Sequence, residues 1–134
     1  MSSLSDTPRP PTSVRQHLQR LVQTRLWGMD IAPSAWIAGS ALIDRTWPRG
    51  VHIGPNCVID EEAVILTHDL TRGLYLDTWI AADAFIGARA IVLPGVSVGR
   101  GCIVEPGSLV ARDLADGLRA SGNPATVVSA MSEI

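Results

Sequence analysis

From residue 31 onward, Ile or Val returns at every sixth position: at 31, 37 and 43, at 53, 59 and 65 after a four-residue insertion, and at 80, 86, 92, 98, 104 and 110 after a nine-residue one. A helix repeats its buried positions every 3.6 residues and a strand every two, so a period of six belongs to neither. A six-residue unit makes one short strand and one bend, and three such units close a triangular coil with the large apolar residue stacked inside. The residue after the anchor is small or acidic in ten of twelve units, the exceptions being Leu66 and Leu93. Four residues after the anchor a smaller inward position follows, filled by Ala35, Ala41, Cys57, Ala63, Ala84, Ala90, Val96, Cys102 and Ser108, with misfits at Trp47, Asp69 and Leu114. Twelve units predict an all-β parallel β-helix of four coils, 31–52, 53–79, 80–97 and 98–115, with loops leaving its corners at about 45–52 and 67–79. Loops carried on a rigid coil are where function concentrates.

The flanks read differently. Residues 1–11, rich in Ser, Pro, Asp and Thr, predict a mobile arm. Residues 12–28 place Val14, Leu18, Leu21, Val22 and Leu26 at helical spacing and predict one amphipathic helix, capped by Thr12 or Ser13 and ended at Gly28. The repeat domain then occupies 29–115, and 116–134 form a C-terminal extension packing on the last coil. A chain of 134 residues with 46% hydrophobic composition supports one domain. A net charge of −2 provides no basic stripe for nucleic acid. The N-terminus lacks signal-peptide character and no long apolar run follows, so the expected address is the cytoplasm. Cys57 and Cys102 are expected to be small buried residues.

With the stretches Ile43-Asp-Arg-Thr-Trp-Pro-Arg-Gly-Val-His-Ile-Gly54, Ile65-Leu-Thr-His-Asp69, Ile91-Val-Leu-Pro-Gly-Val-Ser-Val-Gly99, Pro106-Gly-Ser-Leu-Val-Ala-Arg-Asp113 and Gly122-Asn-Pro-Ala125, residues 28–129 resemble the hexapeptide-repeat acetyltransferases. The resemblance is especially to the branch of galactoside, maltose, nodulation-factor and surface-polysaccharide O-acetyltransferases. The resemblance implies a left-handed coil, a homotrimer with sites between neighbouring subunits, and transfer of acetyl from acetyl-CoA to a hydroxyl of a sugar or polysaccharide precursor.

It also implies roles for particular residues. His68 matches the catalytic histidine, a general base for the attacking hydroxyl. Asp69 either orients that imidazole or pairs with Arg72. The Ala88 N–H takes the place of the amide offered to the thioester oxygen, and Phe85 stands where many members carry a Trp beside the pantetheine arm. Pro106 occupies a turn position that often donates an N–H, which Pro lacks. Arg112 matches a basic position near the coenzyme phosphates, Thr126 replaces a usual Arg or Lys, and Arg89 or Arg100 would have to compensate. For the acceptor, Asp44 faces the cleft by analogy, and Trp47 either stacks on a sugar ring or covers the coil corner. His17 and His52 read as structural or solvent-facing. No metal is expected, because a zinc enzyme on this coil needs three gathered histidines and no paired His motif is present. The remaining alternative is a coil kept as a binding scaffold without catalysis, suggested by Pro106 and Thr126.

Overall fold

The computed structural model describes residues 8–130; most of the expected N-terminal arm and the last four residues lie outside the described residues. The coil begins with β1 (Asp30–Ile31), β2 (Trp36–Ile37) and β3 (Leu42–Ile43), and its second turn is β4 (Val51–Ile53), β5 (Val58–Ile59) and β6 (Val64–Ile65). A small hairpin, β7 (His68–Asp69) and β8 (Leu74–Tyr75), interrupts it. The third turn is β9 (Thr78–Ile80), β10 (Phe85–Ile86) and β11 (Ile91–Val92), and the fourth is β12 (Ser97–Val98), β13 (Ile103–Val104) and β14 (Leu109–Val110). β15 (Leu118–Gly122) and β16 (Ala125–Ala130) close the chain.

The strands stack into three parallel faces. Face 1 is β1-β4-β9-β12, face 2 is β2-β5-β10-β13 extended by β15 and β16, and face 3 is β3-β6-β11-β14. Register is fixed by the anchors. Ile31 pairs with Ile53, Ile53 with Ile80, and Ile80 with Val98, and the equivalent columns run from Ile37 to Val104 and from Ile43 to Val110. All twelve anchors are buried, as are Cys57 and Cys102. Several turns are glycine because the next coil lies directly on them: a Cβ at Gly87 would stand 2.6 Å from Pro106 N and 2.7 Å from Val104 O.

Beyond Val110 the period slips. Leu114, four residues on rather than six, bridges to Val98, and β15 then pairs Ala120 with Val104. Leu114 is therefore an inward residue of a partial fifth turn rather than a misfit of the fourth, and β15–β16 cap that end of the coil.

Helix α1 (Val14–Leu21) is capped by Ser13, whose hydroxyl accepts from Gln16 N while the Gln16 side chain accepts from Ser13 N; it runs on as a π-turn, Val22–Leu26, and Gly28 follows at φ +78°. Its orientation is the reverse of an ordinary amphipathic helix. The polar side faces the coil: Gln16 Nε2 donates to Ile37 O, Gln19 Nε2 to Gly39 O, and the Arg20 guanidinium to Ala32 O and Ala35 O. The first coil has no strand beneath it, and buried carbonyls without partners are costly; these side chains satisfy its open edge. Val14 and Leu18 are left 76% and 59% exposed. Among the described residues no helix is long and apolar enough to cross a membrane.

Candidate active site

The corner between faces 3 and 1 carries both insertions. The first, after β3, opens with Asp44, which is only 2% exposed. As the residue following an anchor of coil one, it lies beneath the start of the second insertion: Ile43 pairs with Ile65, and Asp44 N donates to Ile65 O. Its carboxylate collects four donors. Oδ1 accepts from Thr46 N at 2.8 Å, and Oδ2 accepts from Thr67 N at 2.8 Å, from His68 N at 3.2 Å and from His68 Nδ1. Burial alone would raise the Asp44 pKa, but the bonds from Thr67, His68 and Thr46 outweigh it and hold the carboxyl below its ordinary value.

An ionised carboxylate only accepts hydrogen bonds, so in the neutral imidazole Nδ1 carries the proton and Nε2 keeps its lone pair. The His68 side chain is 19% exposed and its Nε2 takes no hydrogen bond among the described residues. The arrangement is a histidine held in one tautomer by a buried acid, with its second nitrogen able to accept a proton, a pairing recognised by geometry rather than sequence order.

The loop carrying His68 is pinned at both ends. The Thr67 hydroxyl donates to Trp47 O, Leu76 N donates to Thr67 O, and the buried Thr78 hydroxyl donates to Leu66 O while accepting from Gly95 N. β7 and β8 pair antiparallel, placing Tyr75 across from His68, and Tyr75 stands 5.7 Å from the Trp47 ring. Trp47 does cover the corner: a Cβ at Gly50 would lie 2.4 Å from its Cδ1. Tyr75, Thr67 and Thr78 were not foreseen, because insertions leave the six-residue register. The turn signal Thr71-Arg72-Gly73, with Gly73 at φ +66°, was the available hint of a hairpin.

For Asp69 the structure shows the second of the two alternatives, and for Asp44 it corrects the expectation. Asp69 does not orient the imidazole. Its carboxylate closes the hairpin turn, accepting from Thr71 N, the Thr71 hydroxyl and Arg72 N and pairing with Arg72 Nε at 2.7 Å, and the Thr71 hydroxyl and Arg72 hold it well below the usual carboxylate range. Asp44 does not face a cleft as an acceptor ligand; it is sequestered by Thr46, Thr67 and His68.

The residues assigned to the donor divide between two corners. Arg112 lies above His68 at the corner of faces 3 and 1, exposed and without an ion-pair partner among the described residues. Arg89 and Arg100 do have partners, Glu62 at 2.8 Å and Asp116 at 3.8 Å. Phe85 sits on the outer side of face 2, and Ala88 and Pro106 at the corner of faces 2 and 3. In the Ala88 turn the N–H groups of Gly87, Arg89 and Ala90 bond to Val104 O, Glu61 O and Gly87 O, and that of Ala88 has no partner among the described residues. Pro106 is the equivalent residue one coil higher and has no N–H to offer. Thr126 is an exposed residue of β16, paired with Ser121.

The histidines are dispersed. His17 bonds Ser13 O on the helix and His52 bonds Asp30 on face 1. Among the described residues no group of three or more His, Cys, Asp or Glu could hold a metal ion.

Residues 77–112 match the family described as bacterial transferase hexapeptide (six repeats). Over those residues the chain carries the hexapeptide repeat of these transferases. It is 30% identical over 108 residues to the putative acetyltransferase YvoF of Bacillus subtilis, covering 79% of this chain and 63% of that one. To a galactoside O-acetyltransferase of Lactococcus lactis it is 38% identical over 80 residues, 58% of this chain and 39% of that one. The chain thus spans less than two thirds of the length of these curated relatives. Among solved structures, the hexapeptide-repeat acetyltransferase VCA0836 of Vibrio cholerae aligns with TM-score 0.63 at 18% identity, over 89% of this chain and 82% of that one. The same protein complexed with acetyl coenzyme A aligns with TM-score 0.56 at 18% identity, over 90% and 80%. A maltose O-acetyltransferase of Clostridium difficile aligns with TM-score 0.61 at 18% identity, over 96% and 81%. At such identity these structures establish the fold alone, a parallel β-helix of the hexapeptide-repeat kind.

Proposed function

We propose that this protein is an acetyl-CoA-dependent O-acetyltransferase of the cytoplasm, with a hydroxyl of a sugar or polysaccharide precursor as acceptor. The observation that carries the reading is the buried Asp44 carboxylate bound to His68 Nδ1, which leaves Nε2 as a base at the corner where the loops emerge. Nε2 takes the acceptor hydroxyl proton as the oxygen attacks the thioester carbonyl carbon. The Ala88 N–H, free of internal bonds, receives the oxyanion. On collapse the C–S bond breaks and the imidazolium returns its proton to the departing thiolate. Phe85 borders the pantetheine arm, Arg112 meets a phosphate, and Trp47 with Tyr75 borders the acceptor. The assay is release of coenzyme A thiol from acetyl-CoA across a panel of sugars; thiol release that depends on a hydroxyl acceptor supports the reading, and none with any acceptor contradicts it.

His68 follows the second coil at the corner of faces 3 and 1 and Ala88 lies in the third coil at the corner of faces 2 and 3, both flanking face 3, so on this reading they meet between copies. The outward column of that face is wholly aliphatic, Leu42, Val64, Ile91 and Leu109. Exposed Val14 and Leu18 of α1 extend it around a groove of about 650 Å³ beside Leu42. Three copies with face 3 toward a common axis bury this surface and bring the His68 corner of each against the Ala88 corner of the next. Light scattering is expected to give three times the 14.3 kDa chain mass. Ile91→Glu, which places a charge in that column, is expected to yield single chains without transferase activity; a fully active single-chain wild type would contradict the arrangement.

A further inference from the structure

The outward columns of the four coils differ in kind. Face 2 presents Trp36, Val58, Phe85 and Ile103, and face 3 the aliphatic column described above. Face 1 instead presents Asp30, His52, Trp79 and Ser97 in register. His52 and Trp79 stack as parallel rings 3.7 Å apart at 8°. Trp79 remains 48% exposed, because its neighbour in the next coil is only Ser97. His52 Nδ1 is bound to Asp30 Oδ2 at 2.9 Å, whereas its Nε2 is buried, has no hydrogen-bond partner among the described residues and lies 3.6 Å from Asp77 Oδ2. A groove of about 330 Å³ opens here between Asp30, His52 and Trp79 and the small turn residues Ala32, Gly54 and Ala81, within the size range of small-ligand sites. Asp77, outside the groove lining but 3.6 Å from His52 Nε2, ends the loop that carries His68, so that loop comes to the edge of the groove.

Resting on the transferase reading, we propose that this groove is a subsite for a neutral saccharide unit flanking the one acetylated, which makes the acceptor an oligosaccharide or polymer rather than a free monosaccharide. The exposed indole face suits the C–H face of a pyranose ring. The Asp30 carboxylate in the groove accepts sugar hydroxyls, and the exposed Asp77 carboxylate beside it accepts another. The two carboxylates and the lack of a basic residue on the groove exclude the phosphates of the coenzyme from this face. The backing of Trp79 by His52 fixes the ring before a ligand arrives, which lowers the ordering cost of binding.

The probes are immobilised neutral bacterial oligosaccharides and the corresponding monosaccharides, offered to the full chain without acetyl-CoA. Wild type is expected to retain at least one oligosaccharide series and to bind its monosaccharide more weakly. Trp79→Ala is expected to lose about three- to tenfold of that affinity, the scale of one aromatic contact, and Trp79→Phe less. Asp77→Asn, which keeps the shape of the site, is expected to weaken binding as well. Unchanged unfolding midpoints separate these losses from misfolding. Retention of an oligosaccharide by a wild type that transfers no acetyl would leave the subsite standing while the catalytic reading failed. No retained neutral oligosaccharide, equal binding of monomer and oligomer, or binding indifferent to Trp79→Ala and Asp77→Asn would overturn the proposal.

Discussion

Replacing His68 by Ala is expected to lower kcat for acetyl transfer by about 10²–10⁴-fold, the usual contribution of a positioned general acid–base group, with acetyl-CoA affinity nearly unchanged. The expectation follows from where the ring makes its contacts. Asp44 engages Nδ1 and Nε2 has no partner among the described residues, so the side chain is held by its rear edge and offers only its front to substrate. A group that acts only in the transition state lowers kcat and kcat/KM together. Steady-state thiol release measured beside donor binding separates this from a folding defect, and a His68→Ala protein with wild-type kcat would remove the histidine from the chemistry.

Asp44→Asn should show two losses at once. The buried carboxylate serves donors from Thr46, Thr67 and His68, and an amide must turn its NH₂ toward at least one of them, at a cost of about 2–4 kcal/mol in stability. The same amide can donate to Nδ1, which moves the ring proton to Nε2 and removes the base, so kcat should fall by about 10²-fold or more. The pH dependence has a definite sign. Because the Asp44 pKa is depressed in the folded protein, its ionised form contributes stability that is present above the unfolded value of about 3.9 and lost as pH falls through the folded value. Thermal unfolding should therefore show the gap between wild type and Asp44→Asn wide at pH 7 and narrowing below about pH 4. Asp69→Asn, which loosens only the Thr71–Arg72 turn, is expected to lower kcat much less than Asp44→Asn.

The contrast between these two aspartates shows where the sequence was legible. The anchors repeat every sixth residue because each coil stacks on the last, and the structure buries all of them in the columns that spacing implies. Sequence adjacency drew attention to Asp69, next to His68. Stacking decides instead, and it places Asp44 beneath the end of β6, a relation already implicit in the pairing of Ile43 with Ile65. Leu114 looked like a misfit because the period slips by two residues at the last turn, where the hairpin of β15 and β16 takes over. The helix was legible as amphipathic, but its periodicity says nothing about which side meets the coil; the unpaired carbonyls of the first turn select Gln16, Gln19 and Arg20. Tyr75 opposite His68 and Asp77 beside His52 lie in an insertion, whose hairpin register no repeat encodes.

The most direct test of the account is a calorimetric titration of acetyl-CoA into the wild-type protein, since it examines the donor without requiring the acceptor. The account predicts binding near one site per chain, weakened by Arg112→Ala and retained in His68→Ala. No binding at millimolar donor would contradict it and favour a coil kept as a scaffold, with Pro106 and Thr126 as the substitutions that removed the coenzyme.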